Sequence, residues 1–217
     1  MLYADIVFMR VKNSRRCRNR RAVSAIAFGF WLTAATIAAA TITSWHTVAL
    51  PGQQSQDMAL SNADHQWHLR HYLSPDCECS RAISRYLVRR GPLNTAIEEV
   101  VLVTSGNDAL RAGEISARLI RSGFHTRIIA SSAAAEARVE AVPTLEIEAP
   151  DGRIRFRGGY RDRTAPAGVY LDVSMLSDLI DSKPVAPLPV FGCATSARLR
   201  QQLNPLAFYF RKLFHLS

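Results

Sequence analysis

Glycine-rich phosphate loops and internal repeats are both missing from this 217-residue sequence, which leaves no motif for cradling nucleotide phosphates and no repeat architecture. Charge is missing altogether from residues 22–43, and acid is nearly missing before them. Asp5 stands alone against Arg10, Lys12, Arg15, Arg16, Arg18, Arg20 and Arg21, a net of +6 over residues 1–21. The whole chain nets +9, so everything after residue 43 carries only +3. The isoelectric point near 9.9 therefore reflects a basic tail and not a nucleic-acid patch, and nucleic acid is not expected as a partner.

The uncharged stretch Ala22 to Thr43 is long enough, as a helix, to cross a hydrocarbon core of about 30 Å. Positive charge before it orients the tail toward the cytoplasm and exports the remainder. A cleaved signal peptide is the competing reading, with Ala38-Ala39-Ala40 as small residues, but its apolar core is usually only about 7–15 residues. The expected organisation is a basic cytoplasmic tail (1–21), a single-pass transmembrane signal anchor (22–43), a linker (44–63), a folded domain (64–183) and a C-terminal extension (184–217). The linker contains Pro51-Gly52-Gln53-Gln54-Ser55-Gln56, a polar run suited to a tether. Leu206 to Leu216 mixes aromatic and basic residues and reads as an amphipathic helix for a membrane surface or for the chain's own domain.

Within residues 64–183 the periodicity changes repeatedly. Trp67, Leu69, His71 and Leu73 alternate as in a strand, and Ala82, Ile83, Tyr86 and Leu87 share one helical face that stops at Gly91-Pro92. Glu99 to Thr104 reads as a buried strand, 108–121 as a helix, and Thr126 to Ala130 as a further strand. Residues 131–140 are compatible with helix or loop. Thr144 to Ala149 and Arg153 to Arg157 flank Asp151-Gly152 as a hairpin, and a last helix is expected from about Ser174 to Asp181. Strands alternating with helices, then a hairpin and a helix, predict an α/β sandwich.

The chemistry concentrates in Ser74-Pro75-Asp76-Cys77-Glu78-Cys79-Ser80. Two thiols one residue apart at a helix start suit redox chemistry or a soft metal, because a helix N-terminus favours the reactive thiolate. Asp76 and Glu78 oppose that charge, and Arg81 supports it. Positions i and i+2 of a regular helix point about 200° apart, so a local disulfide requires Cys77 to sit in the loop. Cys17 lies in the basic tail. Cys193, in Phe191-Gly192-Cys193-Ala194, is the third thiol of the exported part and an alternative partner for either of the pair.

The strand, cysteine loop and helix, followed by Val142-Pro143-Thr144-Leu145-Glu146-Ile147, Asp151-Gly152-Arg153-Ile154 and Gly158-Gly159, resemble the thioredoxin-like superfamily over roughly residues 66–182. The chain is most similar to its membrane-anchored, TlpA-like bacterial members. It departs from their usual motif, which has two residues between the cysteines where this chain has Glu78 alone. Either Cys77 takes the first cysteine's place and the helix starts one residue early, or Cys79 takes the second place and Asp76 stands at the nucleophile's position. The resemblance implies a thioredoxin-like α/β sandwich and a cis bond before Pro143, with Val142, Pro143 and Thr144 holding an extended substrate strand near the thiols. It implies a thiol-disulfide oxidoreductase of the bacterial inner membrane with its C-terminal domain in the periplasm. Cys77 is the first choice as attacking thiolate, Cys79 or else Cys193 resolves, and no cofactor is needed. The implied partners are a protein thiol or disulfide substrate and a redox partner that resets the pair.

Two other classes use the same residues. Thiolates select Cu(I) and related soft ions, so copper handling or delivery is one. His65, His68 and His71 do not converge on a strand, which leaves no metal site assigned. The other is a non-catalytic binding module that uses the thioredoxin-like groove for recognition alone. Glu98-Glu99 reads as solvated, and Arg153, Arg155, Arg157, Arg161 and Arg163 read as a basic, solvated strip.

Overall fold

The computed structural model describes residues 23–39, 65–162, 164–166 and 168–203. The chain divides into two compact units, Met1–Trp45 and His46–Ser217. In the first, residues 23–39 form helix α1, whose side chains are exposed throughout. Thr33 and Thr36 return their hydroxyls to the carbonyls of Gly29 and Leu32, at 2.8 and 3.0 Å, so each polar side chain is satisfied by its own helix. Among the described residues no helix is long and apolar enough to cross a membrane. Helix α1 covers residues 23–39 of the expected span 22–43, and residues 22 and 40–43 lie outside the described ones. The basic tail, the whole linker 44–63 and the segment Leu206 to Leu216 expected as an amphipathic helix also lie outside them, as does Cys17.

The second unit runs β1 (His68–Leu73), α2 (Glu78–Arg90), β2 (Ile97–Thr104), α3 (Ala109–Arg121), β3 (His125–Ala130), α4 (Ser131–Glu136), β4 (Ala141–Val142), β5 (Thr144–Glu148), β6 (Ile154–Gly158), α5 (Asp172–Ile180), β7 (Cys193–Ala194) and α6 (Ala197–Leu203). Five strands form one sheet in the order β3-β2-β1-β5-β6, and β4 pairs with β7 alone. Strands β1, β2 and β3 are mutually parallel, so helices must carry the crossovers; β5 and β6 run antiparallel to their neighbours. A βαβ half followed by a hairpin and a helix is the thioredoxin-like arrangement that the resemblance implies.

Alternation along β1 separates two cores. Leu69 and Leu73 pack with Ile83 and Leu87 of α2 and with Ala112, Ile115 and Leu119 of α3. Tyr72 points to the opposite face, where Cys77, Val101, Val103, Ala134, Val139 and Val142 gather. Helix α2 ends at Gly91, whose left-handed φ of 73° lets its N–H reach the Leu87 carbonyl at 2.8 Å. Beyond α5, Leu188, Val190 and Leu199 are buried, so residues of the C-terminal extension belong to the core of this unit.

Two charge readings are overturned. Strand β2 starts at Ile97, which places Glu98 inside the sheet, nearly without exposure. Arg90 grips it with two hydrogen bonds of 3.0 and 2.9 Å and also reaches Asp172 at 3.2 Å. His71 Nε2 lies 3.4 Å from Glu98, and Tyr86 donates to Asp172 at 2.9 Å. In the arginine strip, Arg157 is likewise largely buried and paired, while Arg155 stays exposed. Register sets Arg70 opposite Glu146 and Glu146 opposite Arg157 across three adjacent strands, and all three side chains join in ion pairs. Arg155 pairs with Asp151 at 2.6 Å.

Breaking a buried pair leaves a charge uncompensated, so Glu98→Ala is expected to destabilise the unit by about 3–5 kcal/mol, read as a lower denaturant midpoint at unchanged slope. Burial pushes the Glu98 carboxyl up, but hydrogen bonds from His71 and Arg90 outweigh it and hold it below its ordinary 4.5. A carboxylate held down in the folded state adds stability above its unfolded pKa of about 4.3, and that stability is lost as pH falls through the folded value. The midpoint of Glu98→Gln should therefore fall less steeply on acidification than that of the natural chain.

Candidate functional site

The turn Ser74-Pro75-Asp76 carries the chain from β1 into α2, and Cys77 N–H closes it on the Ser74 carbonyl at 3.2 Å. Cys77 then occupies the N-cap position in extended backbone (φ −93°, ψ 118°), and its carbonyl accepts the first helical bond from Arg81 N–H at 2.9 Å. The helix thus starts at Glu78, with Cys77 outside it and Cys79 in its first turn. Cys77 is 1 % exposed, while Cys79 is half-buried.

The chain returns to this point at β4. The Val142–Pro143 bond is cis, and the Val142 carbonyl lies 3.7 Å from Cys77 Sγ, which donates to it as a thiol. Thr144 is buried, and its hydroxyl donates to the Ala141 carbonyl at 2.7 Å, so it braces the bend around Pro143. Cys193 stands opposite Val142 in the β4–β7 pair. Thr195 fastens the same segment, N–H to Glu140 O at 2.7 Å and hydroxyl to Val139 O at 2.8 Å. Cys77, Cys79 and Cys193 are all free thiols.

Their proximity polarises them. Hydrogen bonds from the Cys193 thiol, then from Cys79, lower the Cys77 pKa well below the ordinary 9.0; burial works against this, and the Ser80 amide and hydroxyl add to it. Ser80 Oγ is buried and otherwise unpartnered. Cys79 and Cys193 move the opposite way, because each donates its proton toward Cys77 and burial penalises its own charge. The acidic neighbours are neutralised: Asp76 pairs with Arg111 at 2.5 Å, and Glu78 with Arg81 and Arg85. The negative charge that the cluster stabilises is therefore on Cys77.

Two openings flank the thiols. A cavity of about 170 Å³ touches Cys77 and Cys193, with Asp76, Ser105, Asp108 and Arg200 among its lining residues. A more apolar groove of about 240 Å³ touches Cys79 and Pro143 between Tyr160, Tyr170 and Phe191. The sequence carried no periodic signal for Tyr160 or Phe191. Among the described residues no group of three or more His, Cys, Asp and Glu side chains is placed to hold a metal ion. His71 is turned inward, 2.8 Å from the Tyr160 hydroxyl.

No family model matches the chain, and no curated protein matches it. Among solved structures it is similar to a hypothetical protein from Sinorhizobium meliloti, at 18% identity over 70% of this chain and 97% of that one, with a TM-score of 0.47. An uncharacterized conserved protein from Geobacillus kaustophilus gives 17% identity, 69% and 93% coverage, and a TM-score of 0.47. A secreted disulfide oxidoreductase from Mycobacterium tuberculosis gives 12% identity, 54% and 82% coverage, and a TM-score of 0.37.

Hydrogen bonds to a charged group are worth about 1.5–3 kcal/mol. Cys193→Ala should then raise the midpoint of the Cys77 thiolate titration by about 1–2 pH units, followed by ultraviolet thiolate absorbance. A midpoint that stays in place would show that Cys193 does not hold the charge.

Proposed function

We propose that the chain is a thiol-disulfide oxidoreductase in which Cys77 exchanges with a disulfide of a protein partner. The observation that carries this reading is the placement of Cys77 at the N-terminus of α2 in one cluster with Cys79 and with Cys193, which stands opposite Val142. A thiolate is the attacking form in disulfide exchange, and a protein that lowers one thiol's pKa beside two others holds both the nucleophile and its successor. The Cys77 thiolate attacks one sulfur of the partner disulfide, and the partner's other sulfur leaves as a thiolate that takes up a proton. Cys79 or Cys193, once deprotonated, attacks Cys77 Sγ and releases the partner's second thiol. The partner disulfide gains two electrons, and two thiols of this chain become a disulfide. A dithiol redox partner reverses that change and resets the site. Val142 and Pro143 flank the reacting sulfur and hold the incoming strand, and no cofactor takes part.

The basic run before the uncharged residues 22–43 favours a membrane anchor, with the second unit exported to the periplasm of a bacterial cell. In that compartment disulfides persist and exchange between them has substrates.

The double variant Cys79→Ser, Cys193→Ser should accumulate a mixed disulfide through Cys77 when mixed with oxidised glutathione, seen as a glutathione adduct by mass spectrometry. The natural chain should instead pass on to an internal disulfide that mild reductant reverses. Thiols that stay free and unreactive in both proteins would overturn the reading.

A further inference from the structure

Of the two openings beside the thiols, Cys77 borders only the cavity of about 170 Å³; the apolar groove reaches Cys79 instead. The cavity has room for several water-sized molecules, and buried Cys77 forms part of its wall. Most of its charged groups are already engaged. Asp76 pairs with Arg111 at 2.5 Å, and Asp108 accepts from the Ser105 amide at 3.0 Å. Arg200 is the exception. Its Nε donates to the Ala194 carbonyl at 3.0 Å, which fixes the guanidinium at the cavity, and its two terminal nitrogens have no partner among the described residues. Cys193 borders the same cavity, and close packing sets its place. A Cβ on Gly192 would overlap the Val142 carbonyl and lie 2.6 Å from Pro143 Cδ, so the two backbones meet only because residue 192 has none. Cys79 packs against the same cluster from α2.

We propose that this cavity is a site for small hydroperoxides, hydrogen peroxide first among them, which Cys77 reduces while the Arg200 guanidinium stabilises the departing hydroxide. The Cys77 thiolate attacks one peroxide oxygen, and the O–O bond breaks. The other oxygen leaves as hydroxide, which takes a proton from solvent and becomes water. Cys77 is now a sulfenic acid. The thiol of Cys79 or Cys193 attacks Cys77 Sγ, expels the sulfenic oxygen as a second water, and closes a disulfide. The peroxide gains the two electrons that the two thiols lose. The dithiol partner of the exchange reaction restores the thiols, and for that partner alone the inference rests on the exchange reading. Two features fit a hydroperoxide in particular. It enters a cavity of this size whole, whereas a disulfide brings a substituent on each sulfur. Hydroxide is also a far poorer leaving group than a thiolate, so a guanidinium with unengaged donors beside the nucleophile matters most when an O–O bond is broken.

The test mixes the reduced full chain with hydrogen peroxide and follows Cys77 by alkylation and mass spectrometry across pH, which gives the rate constant per thiolate. That constant is expected to be about ten- to a hundredfold above that of free cysteine. Arg200→Leu, at an exposed position, should lose about tenfold of it or more. The double variant Cys79→Ser, Cys193→Ser should hold the sulfenic acid, captured at Cys77 by the carbon nucleophile dimedone. The natural chain should give an internal disulfide and no such adduct. A rate per thiolate equal to that of free cysteine, a rate that Arg200→Leu leaves in place, or no adduct in the double variant overturns the inference. A double variant that fails to fold, recognised by its thermal melt, leaves the natural chain and Arg200→Leu to decide by their rates. Fast reduction of peroxide by a Cys77 that is inert to oxidised glutathione would sink the exchange reading and leave this one standing; the reverse result does the opposite.

Discussion

Strand β1 is hydrogen-bonded on both sides, parallel to β2 and antiparallel to β5, and the geometry of the site follows from that difference in direction. An antiparallel neighbour brings the start of β5 beside the end of β1, with Tyr72 opposite Thr144. The residues just beyond those ends are Cys77 on one side and Val142-Pro143 on the other. Two segments 65 positions apart therefore meet at the helix N-terminus, where the sulfur and the Val142 carbonyl are 3.7 Å apart. A one-residue slip of β5 would reverse which of its faces meets the core and separate them.

The frame that fixes this register is electrostatic as well as apolar. Arg70, Glu146 and Arg157 lie side by side across β1, β5 and β6, so their pairing penalises any other alignment of the three strands. On the other side of the sheet, Glu98, Arg90 and Asp172 tie β2 to α2 and α5. Buried ion pairs add little net stability over apolar packing of the same shape, but a misaligned one leaves a bare charge. Their role here is consistent with choosing one arrangement over its neighbours.

Much of this frame was legible in the sequence, and the failures have physical causes. The elements from β1 through β3, the hairpin and α5 announce themselves by local periods or by short apolar runs, because their apolar residues are neighbours in sequence. Residues 131–140 did not, since Ser131-Ser132-Ala133-Ala134-Ala135-Glu136 offers small side chains with no apolar period, although α4 forms there. Strands β4 and β7 are two residues each and carry no period, and their pairing is a contact between positions 142 and 193. Glu98 was misread because two adjacent acids look solvated, and its partners Arg90, His71 and Asp172 are contributed by three other elements. At the site, Cys77 and Cys79 stand out by spacing alone. The nearness of Cys193 was one alternative among several, and the tightness around Gly192 had no sequence signal that pointed to Val142.

The two thiols of the Cys77-Glu78-Cys79 run differ in who can meet them. Cys79 opens onto the groove beside Pro143, whereas Cys77 is buried under Val142 and the segment that carries Cys193, at the wall of the second cavity. The more strongly ionised sulfur is the less accessible one. Access to the charged sulfur is thereby set by the cavity beside Cys193, which every incoming disulfide, small or large, must enter before exchange begins. In such a site the order of encounter is written in shape, and reactivity acts only on what shape has admitted.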